Sequence, residues 1–143
     1  MEISRLKKRS DFLRASRTNI VAKTSSMLVQ CFATDQLQQP FFLRVGFTAS
    51  RRVGNAVKRN KAKRRLKALV NNHLKDQLSE IVTLNPLANI DFVFIALPST
   101  ANAKFQNLFK DFIKGIQWCL PQLQQQLLLF QLREETSNVA FDC

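Results

Sequence analysis

The hydrophobic positions of this chain change period along its length, and each change marks an element. Residues 41–50, FFLRVGFTAS, alternate: Leu43, Val45, Phe47 and Ala49 point one way, Arg44, Gly46, Thr48 and Ser50 the other. A period of two predicts a strand with one face in a core. The other face is small and polar, with a bare backbone at Gly46, which suits close approach by a bulky ligand. Residues 27–33, MLVQCFA, predict a second strand, and residues 90–97, IDFVFIAL, apolar on both faces, a central one. Asp35–Pro40 reads as a polar turn and Asn85-Pro86 as a break.

Helices follow from the longer period. Leu66, Leu69, Val70, His73 or Leu74, and Leu78 recur at i+3 and i+4, so a helix is predicted from Ala56 to about Leu78. Before it, Gly54 allows backbone angles that other residues avoid, and Asn55 is a strong N-cap. Arg59 and Lys63 continue the Leu66/Val70 stripe by steps of four, so one face turns from basic to apolar. That places the apolar half on a sheet and the basic half near the sheet's edge. Ser10 is placed to cap a short helix over Asp11–Arg17, with Phe12 and Ala15 on one face and Asn19 in the left-handed position beyond. Pro98 stops the late strand, and Ser99 or Thr100 starts a helix through about Cys119. Its buried stripe is Phe105, Leu108, Phe109, Phe112, Ile113 and Ile116. After Pro121, QLQQQLLLFQLREE predicts one more helix, with the last eight residues frayed. The class is α+β, with helices on a small sheet: one domain over residues 1–120 and an extension at 121–143.

Charge sharpens the picture. The net charge is +12, and no acidic residue lies between Asp35 and Asp76, an interval holding eleven of the 22 basic residues. Nine of the seventeen residues in RRVGNAVKRNKAKRRLK, at 51–67, are Lys or Arg. So many cations on a few helical turns repel one another unless a polyanion neutralises them, and nucleic acid is the first candidate. The stretch after Pro121 is slightly acidic and is not expected to touch RNA.

Other chemistry is sparse. One histidine and ten acids, scattered apart from Glu134-Glu135, supply no acid/base or metal-binding cluster, so no catalytic and no metal-ligating residue is expected. Cys31, Cys119 and Cys143 are far apart without a C-x-x-C pair, which argues against a disulfide framework or zinc site. The first 23 residues are charged throughout, and the apolar runs fall short of the roughly 20 residues a spanning helix needs. A cytoplasmic protein with no membrane partner is expected.

The string RVGFTASRRVGNAVKRNKAKRRLK resembles the protein subunit of bacterial ribonuclease P, whose hallmark is an R-N-R type helix after a G-N-A-V turn. Supporting matches are Leu6-Lys7, Asp11-Phe12, Arg44-Val45-Gly46-Phe47 and Asp91-Phe92-Val93-Phe94-Ile95-Ala96, spread over roughly residues 5 to 117. The resemblance implies an α-β sandwich with a small, mostly antiparallel sheet and a left-handed βαβ crossover, akin to a ribosomal protein domain. It implies a subunit of an endoribonuclease whose catalyst is RNA, with magnesium serving the holoenzyme rather than a protein site. Its partners would be ribonuclease P RNA and precursor tRNA, not DNA. By position, Arg59, Asn60, Lys61, Lys63, Arg64, Arg65 and Lys67 would contact the catalytic RNA. Phe12, Thr48, Ser50, Arg51 and Arg52 would line or border a cleft for the 5′ leader of precursor tRNA. An aromatic beside cations is what a single strand needs, because any base can stack while the backbone is neutralised.

Departures from the family pattern are specific. Lys61 and Lys67 stand where arginines are usual, keeping the charge without the planar fork. Ser16 and Gln30 stand where cleft aromatics are common, so stacking rests on Phe12. Phe12 serves equally well as a core anchor, and Thr48 and Ser50 as ordinary strand positions. His73 and the cysteines read as packing residues. A ribosomal-type or general RNA-binding protein without a role in cleavage is the alternative. A DNA-binding protein is disfavoured, because neither a second helix-turn-helix element nor dimerisation heptads appear.

Overall fold

The computed structural model describes residues 3–34, 42–84 and 89–141. The expected turn at Asp35–Pro40 and the Asn85-Pro86 break lie outside them, as does Cys143. Five strands are present: β1 (Ile3–Arg5), β2 (Val21–Lys23), β3 (Met27–Thr34), β4 (Phe42–Ala49) and β5 (Asn89–Ala96). They form one sheet in the order β1-β4-β5-β3-β2. The strand apolar on both faces, β5, is central, as its pattern requires. Ile90, Phe92, Phe94 and Ala96 face one core, while Val93 faces a second with Leu6, Ala15 and Phe32. Two pairings are antiparallel and two parallel, so the sheet is evenly mixed rather than mostly antiparallel. The cause is connectivity. A helical crossover brings β5 back parallel to β4, as such a connection permits.

Four helices cover the sheet: α1 (Arg9–Ser16) on one face, and α2 (Ala56–Leu69), α3 (Lys75–Leu84) and α4 (Phe105–Phe141) on the other. The helix expected to end near Leu78 runs on to Leu84, with a single π-helical segment at Val70–Leu74 between α2 and α3. That segment shifts the register so that Leu69, Val70, Leu74, Leu78 and Ile81 are all buried. His73 packs its ring edge against Phe109, with 4.7 Å between centroids.

Several expected boundaries move. Two short strands, β1 and β2, lie where the sequence showed no alternation long enough to detect. Helix α1 begins at Arg9 with Lys8 as its N-cap, so Ser10 is inside the helix and does not cap it. Asn19 is not left-handed: among the described residues only Gly54 has a positive φ. The α1 end is closed instead by the Arg17 and Thr18 N–H groups donating to Arg14 and Ala15 carbonyls. Pro98–Ala101 forms a 3-10 turn, and α4 starts at Phe105, which is exposed rather than buried. Pro121 does not separate two helices, because α4 continues through it to Phe141. A proline there costs about 3 kcal/mol in an isolated helix. Burial of Cys119, Leu123 and Leu127 in the main core offsets it.

Candidate nucleic-acid interface

The basic helix is launched by a rigid turn. Ser50 Oγ accepts the Arg52 N–H at 3.3 Å, capping a 3-10 turn at Arg51–Val53 that is anchored by buried Val53. Gly54 follows at φ 140°, where a Cβ would lie 2.7 Å from Lys58 Cδ, so only glycine fits without strain. Asn55 Oδ1 then accepts the Lys58 N–H at 3.0 Å, the cap expected from its identity. Ala62, Leu66 and Leu69 press α2 onto the sheet. Lys58, Asn60, Lys61 and Arg64 are thereby left exposed, and Arg59, Lys63 and Lys67 half-buried at the flanks. Arg51 and Arg52 are exposed at the strand end. Among the described residues, none of these cations has a carboxylate partner.

Where α2 meets the sheet's edge, two cations converge on one ring. Arg5 Cζ lies 5.6 Å and Lys67 Nζ 5.9 Å from the Phe47 centroid. Desolvation first, and then repulsion from Arg5 and Lys63, holds the Lys67 ammonium below the ordinary lysine pKa. A pocket of about 210 Å³ opens here, lined by Arg5, Lys7, Lys63 and Lys67 with Phe12 and Phe47. Arg5 and Lys7 were legible in the sequence only as charge, because nothing local places β1 beside α2. Phe47, assigned to the core by alternation, is partly accessible because β4 lies next to the short edge strand.

The other face of β4 is less open than its small residues suggested. Phe12 fills the space above Gly46: a Cβ on Gly46 would stand 2.5 Å from Phe12 Cε1 and 3.1 Å from Leu6 Cδ1. Phe12 is thus half-buried, packed against a small core yet still at the surface. Arg44 is not a free cation. Its Nε and Nη2 donate to Asp91 Oδ1 and Oδ2 at 2.8 and 2.7 Å, and Nη1 lies 3.5 Å from Asp11. Asp91, 2% exposed, holds Arg44 above its ordinary pKa. The parallel register sets this pair, with Arg44 directly opposite Asp91. Thr48 shares the face of Gly46 and is half-buried, while Ser50, used in its cap, is exposed at the strand end.

Arg65 departs most from its expected setting. Its Nη1 donates to the Thr100 carbonyl at 2.7 Å and Nη2 to the Ala103 carbonyl, and its guanidinium lies 5.9 Å from the Phe105 centroid. Arg65 therefore ties α2 to the turn before α4, whereas Arg64 beside it is free. Sequence placed both in one basic run and could not separate them.

Among the described residues, no group of three or more His, Cys, Asp or Glu could hold a metal ion, and no helix is long and apolar enough to cross a membrane. The paired carboxylates, Asp11 and Asp91, close on a guanidinium that would repel a cation. This fold and surface define a small basic α+β protein with a dense group of cations on one helix and the adjoining sheet edge, which among the described residues have no carboxylate partners. Residues 2–119 match the family model for Ribonuclease P. The chain is 40% identical over 115 residues to the ribonuclease P protein component of Ruegeria pomeroyi, covering 80% of this chain and 84% of that one. It is 35% identical to the Bartonella quintana component, covering 78% and 80%. Its fold is similar to ribonuclease P proteins from Staphylococcus aureus (TM-score 0.57, 20% identity, covering 79% of this chain and 92% of that one) and Thermotoga maritima (TM-score 0.57, 20% identity, 85% and 96%). The chain belongs to the ribonuclease P protein family, which supports a role in tRNA 5′ processing within a ribonucleoprotein.

Proposed function

We propose that this chain grips the catalytic RNA through α2 and guides the 5′ leader of precursor tRNA past Phe12 and the end of β4. The observation that carries the reading is the capped helix whose cations at Lys58, Arg59, Lys61, Lys63, Arg64 and Lys67 have no carboxylate partner among the described residues. Such a surface binds phosphates as counterions leave. Arg59, Asn60, Lys61, Lys63, Arg64 and Lys67 face the RNA subunit, and Arg65 holds their helix in place. Phe12, Thr48, Ser50, Arg51 and Arg52 border the leader path, with Phe12 offering a stacking surface and the arginines neutralising backbone. Cleavage is carried out by the RNA. Among the described residues no acidic, His or Cys cluster fits a metal ion, and magnesium in this reading serves the RNA of the holoenzyme.

The test is 5′-leader cleavage of precursor tRNA by the cognate ribonuclease P RNA at limiting magnesium, with and without the protein. Stimulation is expected, and the protein alone should be silent. No stimulation by folded protein would leave an RNA binder without a role in cleavage. Cleavage by the protein alone, lost on mutating a carboxylate, would overturn the assignment of catalysis to RNA.

A further inference from the structure

A second pocket, of about 480 Å³, shares no residue with the Phe12–Gly46 side of α1. Arg14, Arg17, Ile20 and Phe32 line it together with Gln122, Gln125, Gln126 and Leu129 of α4. The four α4 residues fall at i, i+3, i+4 and i+7, one face of the helix. That face exists only because α4 continues through Pro121, held by buried Leu123 and Leu127. These residues lie beyond position 119, where the family match ends.

The pocket's polar groups have fixed senses. Gln126 Oε1 accepts the Ala33 N–H at 2.7 Å, on the stretch of β3 that β2 does not reach. Its amide NH₂ is left as a donor. Gln122 Nε2 donates to the Trp118 carbonyl at 3.4 Å, leaving its oxygen as an acceptor. Arg14 and Arg17 are exposed and, among the described residues, have no carboxylate partner. The slight acidity of the tail comes from Glu134, Glu135 and Asp142, whereas residues 121–133 carry a single charge, on Arg133. Averaging over the tail concealed a neutral, amide-rich face.

An apolar wall, an adjacent donor and acceptor, and two cations at the rim are complementary to an unstacked nucleotide. The base packs on Phe32, Ile20 and Leu129, its edge meets the amides, and its phosphate meets the guanidiniums. The volume lies within the roughly 300–1,000 Å³ of small-ligand sites. We infer that this pocket binds one unstacked nucleotide of single-stranded RNA, at a point separate from the leader path; the inference rests on the RNA-binding reading above.

The side-chain amide NMR signals of Gln122, Gln125 and Gln126 in the full chain provide the test. Titrations would use 5′-UMP and 5′-AMP in one arm, and short oligouridylate and oligoadenylate RNAs in the other. The expected result is saturable shifts of these amides, with the oligonucleotide at least roughly tenfold tighter than the mononucleotide because flanking phosphates add contacts. The double variant Arg14→Ala/Arg17→Ala, altered only at exposed positions, should lose the shifts. It should also lower the salt slope of oligonucleotide binding by about 0.7, the value for the one phosphate that the two guanidiniums share. Oligonucleotide binding that shifts only signals around Phe12, Thr48 and α2 would overturn the pocket and leave the proposed function standing. Mononucleotide binding as tight as the oligonucleotide's would overturn the RNA assignment in favour of a free-nucleotide site. Failure of RNA to bind anywhere would remove the RNA-binding reading and the pocket with it.

Discussion

Arg64 and Arg65 are adjacent in sequence, and their replacement should have opposite consequences. Arg65→Ala removes two charge-assisted hydrogen bonds, to the Thr100 and Ala103 carbonyls. Thr100 is fully buried and central to a small network: its Oγ1 accepts the Leu97 N–H at 2.8 Å and donates to the Ser26 carbonyl. Loss of Arg65 leaves the Thr100 carbonyl without that partner and loosens the join between α2, the end of β5 and the start of α4. Hydrogen bonds to charged groups contribute about 1.5–3 kcal/mol each. With the guanidinium only half-buried, about 2–4 kcal/mol for the pair is expected. In a chain of this length that lowers the melting temperature by roughly 5–15 °C. Lysine at 65 reaches one carbonyl and should restore about half. Arg64→Ala should leave the urea midpoint unchanged and reduce the salt slope of association with ribonuclease P RNA by about 0.9. The assays are urea unfolding and RNA binding across a salt series. An Arg65→Ala protein with an unaltered midpoint and the same RNA defect as Arg64→Ala would refute the structural assignment of Arg65.

Four further outcomes are expected. Gly46→Ala, which drives a methyl into Phe12, should destabilise by about 1–3 kcal/mol in denaturant; additivity with Phe12→Leu would argue against that contact. Asp91→Ala should cost about 3 kcal/mol by stranding Arg44, and Asp91→Leu with Arg44→Met should recover most of it, as unfolding midpoints would reveal. Phe12→Ala should weaken binding of precursor tRNA by about 1–3 kcal/mol if a leader base stacks there; an equal loss with mature tRNA would eliminate the stacking role. Lys67, with its folded pKa below the unfolded one, binds fewer protons in the folded state, so its contribution to stability rises with pH through that alkaline window. A bound phosphate reverses the effect by drawing the pKa back up. Lysine side-chain NMR should therefore find Lys67 titrating below the ordinary lysine pKa when free and moving upward with RNA; an ordinary value for free Lys67 would contradict the crowding at Phe47.

Much of the fold was legible because it depends on local pattern. The alternation at 41–50, the doubly apolar run at 90–97 and the Gly54-Asn55 start of the basic helix each state their geometry within a few residues. The short strands β1 and β2 were not, since three residues carry no measurable period and exist only as partners of β4 and β3. The continuation of α4 through Pro121 also escaped local reading, because the proline's penalty is visible in sequence and the compensating burial of Leu123 and Leu127 is not.

The candidate site divides the same way. Sequence by itself determined the kind of chemistry on offer: a dense run of cations and an aromatic within reach of it. Tertiary structure decided which cations are free. Arg44 is neutralised because the parallel register sets it opposite Asp91, and Arg65 is held because the turn after β5 brings two carbonyls to it. Arg5 lines one pocket with Lys63 and Lys67 of α2, and the α4 glutamines line another with Arg14 and Arg17. Charge and period are properties of residue type and spacing. Whether a charge faces water or a partner depends on residues far away in sequence, which only packing brings within hydrogen-bonding distance.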